Sequence, residues 1–448
     1  MGAKALTYQE ALDYIHSRTQ FGIKLGLDRI RYLLELCDHP HRKYPVIHIA
    51  GTNGKGSVAA LITSVLSAAG YKVGRFISPH LSSYTERFSI NNRNISEDRV
   101  GKLVSRLKPV LEQTARHPLY SPPTEFEVAT LLAFQYFAEE RVDVAVIEVG
   151  MGGRFDSTNV VDPLVCGIAH IALDHREYLG DTLSAIAAEK AGIIKPGRPV
   201  VVGVQEQEAF AVLEKAATKA KAPFYAVGRD FRYKVAAMDI DGVQLEIEGG
   251  HEPLLTVRVG LTGRHQAANA ALAYGLLSVA KEAGLKWETT DLLHGFAEVK
   301  WPGRLELFPC TPPILMDGGH NPDGFTALSE AISDVFAGYQ IYLVIGILNN
   351  RPLKEMVSIL APRISKVFAT KVPDPKSADP TDLAEEFRKH GVEATTVEEP
   401  SMALRAALSE ADGQGRAGEG KKRLLLVAGS LYLVGALRPE VARMYQCK

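Results

Sequence analysis

The stretch Val46–Val65, VIHIAGTNGKGSVAALITSV, decides how the chain is read. Val46–Ala50 is an almost unbroken apolar run, Gly51–Gly54 supplies a flexible turn, and a helical pattern begins near Gly56. Strand, glycine turn and helix in that order let backbone N–H groups and the helix dipole hold a phosphate. The spacing departs from the common loop G-x-x-x-x-G-K-[ST]. Only Thr52 and Asn53 separate Gly51 from Gly54, and Gly56 follows Lys55, with Ser57 one place later. In this context Lys55 would meet the β- and γ-phosphates, and Ser57 offers a hydroxyl to Mg²⁺ or phosphate. The plain alternative is a tight turn with a solvated lysine. The strand before and the helix after favour phosphate binding.

Outward from this turn, strand-like runs alternate with helical patterns as far as about Gly228. The runs VGRFIS, VDVAVIEVG, VCGIAHIAL, PVVVGV and PFYAVG are mostly continuous apolar stretches, as parallel strands covered on both faces require. Helical patterns over Gly56–Ala69, Ser96–Gln113 and Glu125–Glu139 lie between them and predict a doubly wound α/β sheet. Phe231–Leu261 alternates instead and carries the hairpin signal Asp241-Gly242, which predicts a small antiparallel addition. Helices over Arg264–Ala283 and Thr289–Val299 follow, and KWPGRLELF breaks the pattern. A second α/β series then opens with PILMDGG, YQIYLVIGI, KVFATKV, VEATTVE and RLLLVAGSL. The expectation is a P-loop parallel-sheet domain over 1–299 and a smaller Rossmann-like domain over 300–448, with the glycine-rich stretch Ala411–Arg423 as an exposed loop.

Composition narrows the function classes. The chain has 448 residues, 46% hydrophobic and 23% charged, the balance of a globular protein with more than one core. A net charge of -1 argues against broad capture of nucleic acid or an anionic membrane. Cys37, Cys166, Cys310 and Cys447 are scattered without a C-x-x-C pair, which suits a reducing compartment. No apolar run reaches the ~20 residues that span a bilayer. A cytoplasmic protein is expected.

Three further segments carry chemistry. Glu148 interrupts the apolar strand of VDVAVIEVGMGGRFDSTNV just before a glycine-rich turn. A charge there is costly unless it is paired or bound to metal, and the strand's C-terminal end is where Mg²⁺·ATP sits in open α/β sheets. A salt-bridged structural glutamate is the alternative. IAHIALDHREYLGDTLSAIAAEKAGIIKPG brings a strand end to Asp174-His175 and a helix from Thr182 that presents Glu189 and Lys190. Taken alone, His175 is a capping or solvated histidine and Lys190 a surface lysine. CDHPHRK, Cys37–Lys43, reads as a polar loop, because no second ligand pair accompanies it.

GTNGKGS, together with SPHLSSYTERFS, VIEVGMGGRFD, LDHREYLG…EKAGIIK, LTGRHQAANA, WPGRLEL and DGGHNP in this order, resembles the folylpolyglutamate synthase/dihydrofolate synthase family, within the wider group of Mur ligases. The resemblance spans about residues 20–438. It implies ATP contacts at Gly51, Thr52, Asn53, Gly54, Lys55, Gly56, Ser57, Asn269, Arg304 and Asp317. It implies two Mg²⁺ ions held with the help of Ser57, Ser78, Glu148 and His175, and a carbamylated Lys190; Lys55, Lys190 and His175 are the implied catalytic residues. Substrate contacts are implied at Gly26 and Leu27, at Thr124, Glu125 and Phe126, at Phe155 and Asp156, and at His320. Two stretches depart from the family pattern: GILNNRPLKEM, where an acidic D-K-D is usual, and PDPKSADPTDL, where P-R-A is common.

The implied activity is ATP-dependent addition of L-glutamate to a folate, and also to dihydropteroate, through an acyl phosphate. The implied partners are small molecules only, with no nucleic acid or membrane, and the implied state is a monomer. The rivals are a Mur-type ligase acting on another carboxylate and a nucleotide-binding regulatory protein without ligase activity.

Overall fold

The computed structural model describes residues 5–22, 24, 26–250, 252–413 and 422–446. These divide into two compact units: Met1–Lys234 with Glu246–Val257 and Ala268–Val299, and Val235–Leu245 with Arg258–Ala267 and Lys300–Lys448. The fold class is the mixed α/β architecture expected, with two sheets of largely parallel strands.

In the first unit the strands are β1 (Val46–Ala50), β2 (Val73–Phe76), β3 (Phe88–Ile90), β4 (Arg93–Asn94), β5 (Val144–Glu148), β6 (Val165–Ile168), β7 (Val200–Val202) and β8 (Phe224–Ala226). They form one sheet in the order β4-β3-β2-β5-β1-β6-β7-β8. All are parallel except β3 and β4, which fold back as a hairpin on the β2 edge. Every residue of β1 and β5 is buried, which explains their continuous apolar sequence. The chain leaves β1 towards β2 on one side, and later crosses from β5 over β1 to β6 on the other. The order reverses here, and the C-terminal strand ends at such a point are where open α/β sheets bind ligands. The register sets Ile49 beside Glu148, so the glycine turn after β1 and the carboxylate ending β5 emerge together.

The helix Lys55–Ala68 is apolar on nearly all sides, with Val58–Thr63 buried throughout, and the helix Thr289–Glu298 packs against it. Strands β9 (Phe231–Asp239), β10 (Gly242–Gly249) and β11 (Glu252–Val259) form a separate three-stranded sheet.

The main sheet of the second unit consists of β12 (Glu306–Phe308), β13 (Ile314–Asp317), β14 (Gln340–Ile345), β15 (Lys366–Ala369), β16 (Glu393–Thr396) and β17 (Arg423–Ala428), in the order β12-β13-β17-β14-β15-β16. Only β12 runs antiparallel to its neighbour. It lies in the segment whose sequence breaks the α/β pattern, and its three residues are too few to show a periodicity. Residues 411–413 of the expected loop instead continue the helix Pro400–Gly413, and 414–421 lie outside the described residues. Elsewhere the expected helices appear within one or two residues at each end.

Candidate active site

The helix Lys55–Ala68 starts without a side-chain cap. Its N-cap is Gly54, at φ 90°, which has no side chain with which to cap the first-turn amides. A Cβ at Gly54 would lie 2.3 Å from Asn269 Oδ1, so glycine is required by both backbone and space. The turn before it is pinned to the neighbouring strand end: the Thr52 N–H donates to the His170 carbonyl at 2.8 Å, and Thr52 Oγ1 donates to the Ala172 carbonyl at 3.0 Å. An uncapped helix start on a fixed turn presents amides to an anion.

Two lysines converge on this turn. Lys55 Nζ donates to the carbonyls of Gly51 and Thr52, both at 3.1 Å. Lys190 Nζ donates to the same Gly51 carbonyl at 2.8 Å. The expectation that an isolated lysine in that helix faces solvent is overturned: Lys190 is 3% exposed, because the helix Leu183–Lys190 ends against the turn. Burial, with the Lys55 ammonium adding to it, pulls the Lys190 pKa down to about 7; Asp174 and Asp156 oppose the shift. The Glu148 carboxylate, also buried, lies 3.9 Å from Lys55 Nζ and accepts the Ser78 N–H at 3.4 Å. The Lys55 ammonium and a glycine-capped helix start supply positive charge and amides where a phosphate could sit.

A hard cation fits the donors here. Glu148, with the hydroxyls of Ser57 in the first helical turn and Ser78 beside it in the β2–β3 connection, is an oxygen-only set, as Mg²⁺ prefers. Among the described residues no three His, Cys, Asp or Glu side chains gather in one place. One carboxylate plus substrate phosphate oxygens is how Mg²⁺ is usually held. His175 begins the short helix Arg176–Leu179 in a left-handed conformation (φ 51°) and is exposed.

Apart from His320, the residues expected to touch a second substrate belong to this unit. Thr124 caps the helix Glu125–Glu139 in a reciprocal box with Glu127, which also takes an ion pair from Arg29 at 2.7 Å. Glu125 accepts from Thr19 Oγ1 at 2.8 Å and faces Arg87 at 3.8 Å. Phe126 stacks on Phe76, with centroids 5.9 Å apart, and fills the space a side chain at Gly150 would need. Phe155 is 43% exposed, whereas Asp156 is buried and accepts from the backbone N–H groups of Met151 and Thr158. Gly26 has φ 126° and Leu27 precedes the helix Asp28–Leu36; Ile23 and Leu25 in the same stretch lie outside the described residues.

Residues 49–277 match the family described as Mur ligase middle domain, and residues 303–431 the Mur ligase, glutamate ligase domain. The chain is 36% identical over 442 residues to the dihydrofolate synthase/folylpolyglutamate synthase of Bacillus subtilis, covering 97% of this chain and 99% of that protein. The chain belongs to the folylpolyglutamate synthase/dihydrofolate synthase family. The Mycobacterium tuberculosis folylpolyglutamate synthase, solved with ADP and AMPPCP, superposes with a TM-score of 0.89 at 33% identity, over 97% of this chain and 98% of that one. The E. coli FolC complex with DHPP and ADP gives 0.86 at 27% identity, over 98% of both.

In the second unit the family's D-G-G-H-N-P block leaves the end of β13. Asp317 is buried, and its two oxygens accept the Gly319 N–H at 2.8 Å and the Leu305 N–H at 3.0 Å, which ties the Arg304-Leu305 corner to the block. His320 Nδ1 lies 3.0 Å from the Gly318 carbonyl. His265, whose pKa is lowered by burial, feels the charges of Asp317 and Arg304. The two stretches that depart from the family pattern meet: Leu348 bridges Ser377, and the Asn349 N–H donates to the Lys376 carbonyl at 2.8 Å. They are one altered place in this unit, which the sequence could not show.

Sequence reasoning passed over Arg75. It is buried inside β2, bonded to Asn92 Oδ1 at 2.7 Å, and its guanidinium feels the Glu148 charge; burial lowers its pKa to about 10. An arginine in an otherwise apolar strand was the available signal. CDHPHRK is a loop with one short helical turn, Pro40–Arg42, in which His41 is buried and held neutral, its pKa lowered to about 4 mainly by burial. No helix among the described residues is long and apolar enough to cross a membrane.

Proposed function

We propose that this chain is an ATP-dependent ligase that joins the amine of L-glutamate to the carboxylate of dihydropteroate or of a folate's terminal glutamate. The observation that carries this reading is the Gly51 carbonyl, which gathers Lys55 and Lys190 at an uncapped helix start, with Glu148 at 3.9 Å from Lys55. The family's named members fit it: the B. subtilis relative is a dihydrofolate synthase/folylpolyglutamate synthase, and the solved relatives bind ADP, AMPPCP and DHPP.

Residues 1–299 form the ATP-binding domain in this proposal, and 300–448 the glutamate ligase domain. Gly51–Ser57 and Asn269 bind ATP; Arg304 and Asp317 share that role, and His320 serves the substrate. The acceptor carboxylate takes the γ-phosphoryl group to give an acyl phosphate, and glutamate's amine then expels phosphate to leave the amide. Lys55 and the helix-start amides stabilise the negative charge as it moves. Two Mg²⁺ ions, held through Ser57, Ser78, Glu148 and His175, would neutralise phosphate charge. Thr124, Glu125, Phe126, Phe155, Asp156, Gly26 and Leu27 line the acceptor side.

Lys190 is carbamylated in this reading. Attack on CO₂ needs the neutral amine, and a pKa near 7 supplies that form at neutral pH. The product is an anion that replaces a buried cation. A monomer in the cytoplasm, acting on small-molecule substrates, completes the proposal.

ADP release assayed with dihydropteroate and with tetrahydrofolate, each with and without glutamate, tests the proposal. Release that requires both acceptor and glutamate is expected. Release with a muropeptide and none with either pterin would overturn it.

A further inference from the structure

A buried polar chain runs beneath the site. His48, in the middle of β1 and fully buried, places Nε2 2.9 Å from Thr158 Oγ1. Thr158 Oγ1 in turn bonds Asp156 Oδ1, and Asp156 Oδ2 accepts the Met151 N–H at 3.0 Å. The Asp156 oxygens accept backbone N–H groups on both sides, so the Thr158 hydroxyl donates to Asp156. His48 must then donate from Nε2 to Thr158, which leaves Nδ1 bare; Nδ1 is buried and has no partner. Burial holds His48 neutral, its pKa lowered to about 3. The polarity of the chain is therefore fixed from end to end.

Its far end is the turn that follows Glu148. Past Met151 the same turn lies against the end of the Lys190 helix: the Arg154 N–H donates to the Glu189 carbonyl at 2.8 Å. A Cβ at Gly153 would lie 2.8 Å from the Glu189 carbonyl oxygen and 2.9 Å from that of Lys190. Asn159, next to Thr158, donates from Nδ2 to the carbonyls of Arg154 and Gly192, at 2.9 and 3.0 Å. The turn thus has Glu148 at one side and Lys190 at the other, and the chain from His48 braces it from below.

We propose that His48 and Thr158 are positioning residues, which act through Asp156 to hold the Gly150–Arg154 turn and so keep Glu148 and Lys190 in register around the Gly51 carbonyl. Neither contacts the reacting groups. The inference rests on the ligase reading above and adds two residues to which the sequence reading gave no role.

Four variants test it: Thr158→Val, which keeps shape and loses the hydroxyl, His48→Phe, His48→Gln, whose amide nitrogen can replace Nε2–H, and Lys55→Ala as a control for nucleotide binding. Each is measured for kcat, for AMPPCP affinity with Mg²⁺ and with EDTA, and for melting temperature. Thr158→Val and His48→Phe are expected to lose about tenfold or more in kcat. Their Mg²⁺-supported AMPPCP affinity should fall about tenfold, with the EDTA value within about twofold of wild type. His48→Gln should recover both to within about threefold. Wild-type kcat and Mg²⁺-supported affinity in Thr158→Val would overturn the proposal. So would a His48→Gln protein as impaired as His48→Phe at an unchanged melting temperature. The AMPPCP arm needs no folate, so a wild-type chain inert towards folates would defeat the ligase reading without touching this one.

Discussion

Both units contain a strand, a glycine-bearing turn and a helix, and the two helix starts are finished differently. After β13, Asn321 caps the helix Pro322–Val335: its side chain accepts the Gly324 N–H at 2.8 Å, and Pro322 at the first position has no N–H to satisfy. After β1, the N-cap is Gly54, which has no side chain to offer the first-turn amides of Lys55–Ala68. A helix start capped by its own side chain has fewer amides left for an anion, whatever Asp317 and His320 on that turn do. A turn whose cap is left to a ligand suits a phosphate, and Lys55, held at the Gly51 carbonyl, supplies the opposing charge.

The hardest blow to that contrast is Lys55→Ala. Ligation should fall on the order of 10³-fold, as when one preorganised charge-stabilising donor is removed, with circular dichroism unchanged. A variant that turns over like wild type would leave the turn with no function to explain.

Lys190 tests the electrostatic half. At pH 8–9 an unfolded lysine keeps its proton while the buried one, with a pKa near 7, has lost it. The unfolded state therefore binds more protons, and stability rises with pH from about 7 towards 10. In CO₂-free buffer the wild type should gain roughly 2 kcal/mol on Lys190→Met between pH 7 and pH 9, read by denaturant unfolding. Parallel pH profiles for the two proteins would remove the buried ammonium from the account.

Gly54→Ala forces a side chain into a φ of 90° and against Asn269. It should destabilise by about 1–3 kcal/mol, and calorimetry should show AMPPCP affinity falling about tenfold. Its counterpart, Asn321→Ala, removes the self-made cap and should cost about 1 kcal/mol of stability with no change in AMPPCP affinity. Equal nucleotide effects from the two substitutions would erase the distinction between the turns.

Much of this was legible in the chain. Continuous apolar runs announced the buried parallel strands, and GTNGKGS and Glu148 lie at the paired ends of two of them. The strands missed were β12, β3 and β4, short antiparallel edge pieces of two or three residues in which a period of two cannot be seen. The depth of Lys190 was hidden, because it depends on how a helix end meets a turn 139 residues earlier. The His48–Thr158 bond joins residues 110 apart; a histidine inside the apolar strand VIHIA was the available signal, but its partner was not legible. Local pattern names residues; their partners come from the register of β1 against β5 and β6.

Oxygen transfer reports on the acyl phosphate itself. The acceptor is supplied with ¹⁸O in the carboxylate that receives glutamate, and the phosphate released during ligation is weighed by mass spectrometry. Passage through an acyl phosphate predicts that each phosphate carries one carboxylate oxygen. Unlabelled phosphate, formed while the amide accumulates, would contradict the account.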